Sequence, residues 1–447
     1  MERLQLTRTV LASVSWCALG VLCVTSGCAK SISSEEIVRG ADQRIERYRK
    51  GNMALALIDP QGKHLEPGSH VHIQQVRHKF LFGANLFRFA GIDQPGLEAQ
   101  YRERFADLMN YATAPFYWRA YEPVQGQPEY QQTEKLIEWC RSHGIEIKGQ
   151  PLAWNLRDPE WLPADSQAVQ RLMLDRVSAI VHRFSGSIHY WDAFNELTAY
   201  DRSSMREDAP KETAVIDRMG QIPYAEAVLH AARQGNPQAA LIVNDYLTGP
   251  RFRDLLAQVT DNSGHPGFDV IGIQSHQHTE VWTPEKIWSV CEAFAGFGKP
   301  IHFTETTILS GPLQGFAGPP ASGWDTTPEG EQLQAEQVVL YYKILFSNPA
   351  VAAITWWDLT DLHAWKNAPA GLLRRDMSPK PAYTALKDLI KNQWWTRADE
   401  VADASGDVRI RGFYGTYQLT AQSGGRHLSG EFNFDSESPK AIEVRLQ

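Results

Sequence analysis

Cysteine is scarce in this 447-residue chain and basic charge is in deficit. Only five cysteines occur, and three of them (Cys17, Cys23 and Cys28) fall in the first 28 residues. Cys140 and Cys291 remain, far apart and each inside a helical pattern. That spacing gives no ground for expecting a bridge, so the apolar core must hold the fold. With 44 Lys and Arg against 52 Asp and Glu, the formal net charge is −8, the wrong sign for a partner of nucleic-acid phosphates. Internal repeats are absent. Low-complexity sequence is confined to a Gly/Pro-rich run, SGPLQGFAGPPASG at 310–323, a candidate rim loop. Aromatics are the abundant class: 14 Trp and 15 Tyr exceed what a core needs, and sugar-binding clefts use such flat apolar faces. Hydrophobic content of 43% with 21% charge fits a soluble globular chain and excludes a disordered one.

The N-terminus reads as a targeting segment. Arg3 and Arg8 precede an apolar run from Thr9 to Thr25, and the small residues Ser26 and Gly27 lead into Cys28. The run is short and polar chain follows at once, the layout of a secretory signal over 1–28 and not of a spanning helix. TSGC resembles a bacterial lipoprotein box, with Thr25 where Leu is usual. On that reading Cys28 becomes a lipidated N-terminus that anchors the protein to a membrane at the cell envelope; plain secretion, a periplasmic location or an uncleaved anchor is the alternative.

After this segment a polar helix is expected around Ser34 to Lys50. Two alternating strands follow, punctuated by Asp59-Pro60 and Gly62, which predicts a hairpin within 34–78. From Lys79 the rhythm changes to short apolar strands alternating with helical stretches, the βα signature of a parallel sheet. Eight strands are expected, beginning near residues 79, 111, 146, 188, 240, 268, 300 and 353. Of the helical stretches between them, AEAVLHAARQG is expected to be capped by Gly235. Eight such units over 79–395 predict an α/β fold of the (β/α)8 TIM-barrel type. Past Trp395, the segment 396–447 offers short alternating strands with Gly turns, too few to bury a core alone. They are expected to join the N-terminal strands in a small accessory β unit. Phe413, Tyr414 and Tyr417 in that segment could serve either sugar binding or packing.

Polar residues gather at the carboxyl ends of the expected strands: Asn85, Trp154-Asn155, Asn195-Glu196, Asp245-Tyr246, Gln274-Ser275-His276, Glu305 and Trp357-Asp358. In a barrel those ends meet on one face, the face that carries the active site. The runs WDAFNEL (191–197) and HFTET (302–306) would thus bring Glu196 and Glu305 to one mouth. Two carboxylates across a cleft are the apparatus of glycoside hydrolysis, one as acid and one as nucleophile or base. Either glutamate alone could be a salt-bridged strand cap. His276 and His278 share a strand face, but no third ligand completes a metal site. Trp356 and Trp357 alternate faces, so one of them belongs to the core.

WDAFNEL resembles the acid/base motif of glycoside hydrolase family 10, the β-1,4-xylanases, and HFTET resembles the family's nucleophile strand. LIVNDY, DVIGIQSH, AITWWDLTDLHAW and GLLRRDMSPKPAY continue the resemblance in family order from about Phe80 to Ile390. It implies a (β/α)8 barrel that hydrolyses with retention, needing neither metal nor organic cofactor, on a polysaccharide or oligosaccharide substrate. By position, Glu196 resembles the acid/base and Glu305 the nucleophile. Asn195 would hold the 2-hydroxyl of the cleaved sugar, Gln274 and His276 would hydrogen-bond around the carboxylates, and Trp357 and Trp365 would wall the sugar. Tyr246 is a further cleft candidate.

The sequence departs from the family beside that centre. Where family members carry a Glu-Asn pair and a Lys at the second strand's end, this chain reads TAPFYWR, with Ala114 and Pro115. The strand-three motif reads GQPLAWN, placing Gln150 and Asn155, both candidate substrate contacts, where histidines are usual. Thr307 replaces the Asp that orients the family's histidine. Each lost charged hydrogen bond would weaken substrate binding by roughly 1.5–3 kcal/mol. The catalytic subsite is therefore expected to be kept and its neighbour rebuilt, for a xylan-like or a different, substituted β-glycan. The reading from another class is a surface lipoprotein that holds glycans without cutting them.

Overall fold

The protein is described by a computed structural model covering residues 32–447 other than 262, 315–323 and 440. The targeting segment with Cys28, and most of the rim loop, lie outside the described residues. The expected N-terminal helix is two helices, Ser34–Arg39 and Ala41–Tyr48, parted at Gly40. Ser33 starts the first with a capping box: its hydroxyl accepts from the Glu36 amide and the Glu36 carboxylate accepts from the Ser33 amide.

Strands β1 (Lys50–Ile58) and β2 (His70–His78) follow, but they do not form the expected hairpin. The punctuation at Asp59-Pro60 is a real turn, in which the Asp59 carboxylate accepts from the Gln61 and Lys63 amides, each at 2.9 Å. It returns the chain only to an isolated bridge between Ile58 and His64 before the backbone crosses to a second sheet. Turn residues specify a local reversal; the partner strand is chosen by which apolar faces can be buried together.

The barrel itself forms as expected. Strands β3 (Leu81–Asn85), β4 (Tyr111–Pro115), β5 (Glu146–Gln150), β6 (Tyr190–Asn195), β7 (Ala240–Asp245), β8 (Val270–Gln277), β9 (Ile301–Ile308) and β10 (Val351–Trp356) pair in sequence, all parallel, and β10 closes on β3. They are buried almost throughout, as strands between a packed interior and a ring of helices must be. Gly235 is the last residue of helix Gln221–Gly235, whose cap is Asn236. It is needed for proximity and not for capping: a Cβ there would lie 2.4 Å from the Ser178 carbonyl of helix Ser166–Arg183.

Five strands remain: β11 (Arg397–Val401), β12 (Asp407–Phe413), β13 (Gly415–Ser423), β14 (Arg426–Phe434) and β15 (Ala441–Arg445). They pair with both N-terminal strands in two sheets, β12-β1-β15 and β11-β2-β13-β14. One apolar cluster, separate from the barrel core, unites the sheets through Leu55, Leu57, Ile73, Leu419, Phe432 and Val444. This accessory β unit sits under the barrel, at the strands' amino ends. There Arg49 donates to the carbonyls of Phe346, Asn348 and Val351, and Phe413 lies 6.1 Å from the ring of Phe346. Phe413 and Tyr417 are packing residues: both are buried, and Tyr417 stacks on Phe432 at 5.1 Å. Tyr414 packs on Phe434. Cys140 and Cys291 are buried free thiols.

Candidate active site

Local distortions deliver both glutamates to the barrel mouth. Glu196 follows β6 with φ 54° and ψ 33°, a left-handed conformation that costs a non-glycine residue about 1–3 kcal/mol. Its amide donates to the Asn244 carbonyl at 2.9 Å, and the 3-10 turn Leu197–Ala199 begins directly after it. On β9 the register slips: Phe303 pairs with Ile273 while Glu305 pairs with Gln274, leaving Thr304 as the extra residue of a bulge. Such bulges re-aim side chains, here toward the centre of the mouth.

Three carboxamides join the two buried carboxylates. Gln274 Nε2 donates to Glu196 Oε1 at 3.1 Å and lies 3.3 Å from Asn195 Oδ1. Asn244 Nδ2 donates to the same Asn195 oxygen at 2.7 Å and to Glu305 Oε1 at 2.8 Å. Gln150 adds a second donor to Glu305 Oε1 at 2.7 Å, and His276 Nε2 approaches Glu305 Oε2 at 3.1 Å. Asn195 Nδ2 is buried without a hydrogen-bond partner among the described residues, a donor left over for a ligand oxygen.

Burial dominates the electrostatics. It pushes the Glu196 carboxyl up to about 7, against the pull of the Arg202 guanidinium and with help from the charge on Glu305. Glu305 is likewise pushed up to about 7 by burial, opposed by Lys148 and by the donors Asn244 and Gln150. Lys148 pairs with Asp192 at 2.7 Å; both are fully buried on the neighbouring strands β5 and β6. Burial drives His276 down to about 3, so its imidazole is neutral. A neutral ring that donates from Nε2 to Glu305 must accept at Nδ1, and the Thr307 hydroxyl stands there at 2.8 Å as the donor.

The structure brings Gln150, Asn195, Glu196, Gln274, His276 and Glu305 into one network. Trp357 walls it, edge-on to Phe87 at 5.3 Å and to His276 at 5.8 Å, while Trp356 is core, as the alternation required. Trp365 lies 4.6 Å from His276 and is 39% exposed, forming the rim. Tyr246 stands at the other rim beneath the Arg202 guanidinium, 5.2 Å from its ring centre. Asn155 is the exception. Its Nδ2 donates to the Tyr200 carbonyl and to Thr213, so it pins the loop after β6 and does not join the network. Among the described residues no group of three His, Cys, Asp or Glu is arranged to hold a metal.

Four residues of the site escaped the sequence reading. Asn244 carried a usable signal, since in VND only alternate residues can face the interior, and Asp245 is instead held by Thr198. Arg202 lies in a loop whose course sequence does not fix. Tyr117 and Phe87 have aromatic neighbours, Tyr117 packing on Phe87 at 5.8 Å and on Trp154 at 5.9 Å. Burial, then the charges of Glu305 and Glu196, push the Tyr117 phenol up. Tyr117 and Trp154 also line a cavity of about 480 Å³ together with Trp118, Pro151, Leu156 and Arg157.

Residues 82–389 match Glycosyl hydrolase family 10. The chain belongs to that family. Among relatives of this family-10 chain, endo-1,4-beta-xylanase B of Thermotoga neapolitana is 27% identical over 62% of the chain and 78% of its own length. Anti-sigma-I factor RsgI6 of Acetivibrio thermocellus is 25% identical over 88% of the chain, which spans 47% of that protein. For endo-1,4-beta-xylanase C of Paenibacillus barcinonensis the chain spans 31% of the relative. The fold is shared with native xylanase 10B of Thermotoga maritima, with a TM-score of 0.57 at 22% identity over 70% of this chain and 96% of that one.

Proposed function

We propose that this chain is an exported, retaining β-glycosidase of the xylanase type, acting on a β-1,4-linked plant polysaccharide or its oligosaccharides. One observation carries the reading: two buried carboxylates, joined by three carboxamides, at the mouth of a family-10 barrel. Glu305 is ringed by the donors Gln150, Asn244 and His276, which stabilise a carboxylate, and it attacks the anomeric carbon. Glu196 gives its proton to the departing glycosidic oxygen as the carbon–oxygen bond breaks. In the second step Glu196 takes a proton from water, whose oxygen displaces Glu305 and restores both groups. On this reading Asn195 Nδ2 holds the sugar's 2-hydroxyl and Trp357 walls its ring. Membership of family 10 and the xylanase relatives support the reaction class. The N-terminal segment ending in Cys28 supports export and lipid anchoring.

A second reading keeps the mechanism and changes the glycan. The aromatic group of Phe87, Tyr117, Trp154 and Trp357 favours it, because such faces grip a sugar by stacking where charged hydrogen bonds are missing. Reducing-sugar release by the mature chain from xylan, substituted xylans, mixed-linkage glucan and mannan, beside Glu305→Ala, tests both. Release from one glycan, lost in the variant by at least about 10⁴-fold, is expected and names the substrate. Binding to a glycan without release from any of them would leave a barrel that only holds sugar.

A further inference from the structure

Arg202 occupies an oxygen that the proposed reaction needs. Its Nη2 bonds Glu196 Oε2, while Glu196 Oε1 is already an acceptor for Gln274. Oε2 is therefore the oxygen that must carry the proton to the leaving group. Protonating Glu196 abolishes its ion pair with Arg202 and leaves only a weaker hydrogen bond to the guanidinium. Its charge then needs another partner.

The neighbouring acids are engaged elsewhere. Asp201 faces Arg251 at 3.7 Å, Asp217 pairs with Arg206 at 2.7 Å, and Asp245 accepts from the amide and hydroxyl of Thr198. Arg202 is 33% exposed, over the ring of Tyr246 at the end of β7. Glu305, His276 and Trp357 contact one another, whereas Arg202 and Tyr246 gather around Glu196, the group that meets the departing oxygen in the proposed reaction. A chain leaving past Glu196 therefore runs by Arg202 and Tyr246.

We propose that Arg202 is a specificity-determining residue that binds a carboxylate on the leaving-group side of the glycan, a uronic acid, and that this pairing draws the guanidinium off Glu196 Oε2. Planar guanidinium matches carboxylate in a two-pronged geometry, and the exchange keeps the charge compensated as Glu196 becomes the acid. The preferred substrate on this account is an acidic, uronic-acid-branched β-1,4-glycan. The inference rests on the hydrolase reading of Glu196 and Glu305.

The test compares a xylan carrying glucuronic-acid branches with the same xylan after its carboxyls are reduced to alcohols, which keeps the branch and removes the charge. For the intact chain, kcat/KM is expected to favour the charged substrate about tenfold or more, with the ratio shrinking at high salt. Arg202→Gln is expected to bring that ratio to about one, and Arg202→Lys to restore part of it; loss of packing alone would lower both substrates together. A wild-type ratio near one, or a ratio that survives Arg202→Gln, overturns the proposal and leaves the hydrolase reading standing. Calorimetric binding of charged and reduced branched oligosaccharides to Glu305→Ala, with and without Arg202→Gln, reads recognition without turnover. Charge-dependent binding lost with Arg202, in a chain that cuts no glycan, would sink the hydrolase reading and uphold recognition. Equal binding of both oligosaccharides would overturn recognition itself. Should Arg202→Gln fail to fold, the wild-type ratio and the Lys variant still decide.

Discussion

Thr307 shows how a single side chain sets the working state of this site. With a hydroxyl donating to His276 Nδ1, the imidazole stays neutral and turns its Nε2 hydrogen toward Glu305. Thr307→Asp puts a carboxylate there, which raises the histidine's affinity for a proton. Protonated His276 then stabilises the Glu305 carboxylate, so Glu305 loses its proton at lower pH. The acidic limb of kcat/KM, which reports the ionisation of the free enzyme's nucleophile, is expected to move to lower pH in Thr307→Asp. Thr307→Val removes the donor without adding charge; a loss of about 10–100-fold in kcat with a bound substrate's KM little changed is expected from such a supporting contact. A pH–rate profile of the three proteins separates these outcomes. Burial pushes both carboxyls up to about 7. Activity should therefore fall on the acid side as Glu305 gains a proton and on the alkaline side as Glu196 loses one.

Among the elements, the junction of β5 and β6 leaves no room for an added side-chain carbon. Gly149 lies between the inward-facing Lys148 and Gln150, and the Trp191 ring covers it so closely that a Cβ would lie 2.2 Å from Cζ3. Trp191 in turn packs on Phe116 at 5.0 Å, next to the altered strand-two end. Gly149→Ala must displace the ring or the strand, at a cost of about 1–3 kcal/mol. Because Gln150 is the next residue, activity should fall along with the denaturation midpoint. Thermal melts and kcat/KM measured on the same preparation check this; an unchanged melting temperature would mean that the Trp191 ring has room to move.

For the molecule as a whole, the buried carboxylates and the accessory unit occupy opposite faces. The carboxylates sit at the carboxyl ends of the barrel strands, and the accessory unit, built from both chain ends, sits at the amino ends. Leu55, fully buried in that unit's own core, is far from any group that touches substrate. Leu55→Ala is expected to cost about 2–5 kcal/mol of stability. At temperatures where the variant stays folded, kcat on a soluble glycan should match the wild type. A fall in kcat at those temperatures would show that the two faces are coupled.

What the sequence determined by itself is the barrel and its centre. Strand and helix periodicities are local, and eight of them in alternation allow one closed parallel sheet, so Glu196 and Glu305 could be placed on a common face before any contact was known. The reading failed where the answer depended on which surfaces meet in space. Asp59-Pro60 marks a turn, but β1 and β2 belong to different sheets because their apolar faces are buried by strands from the other end of the chain. Asn155 lies in a motif that promises a substrate contact, yet its amide is spent on Tyr200 and Thr213. Arg202 and Tyr117 joined the site only through tertiary structure. A loop's path and the reach of a long side chain are settled by packing and by the need to satisfy buried polar groups, and neither is written in any local stretch of residues.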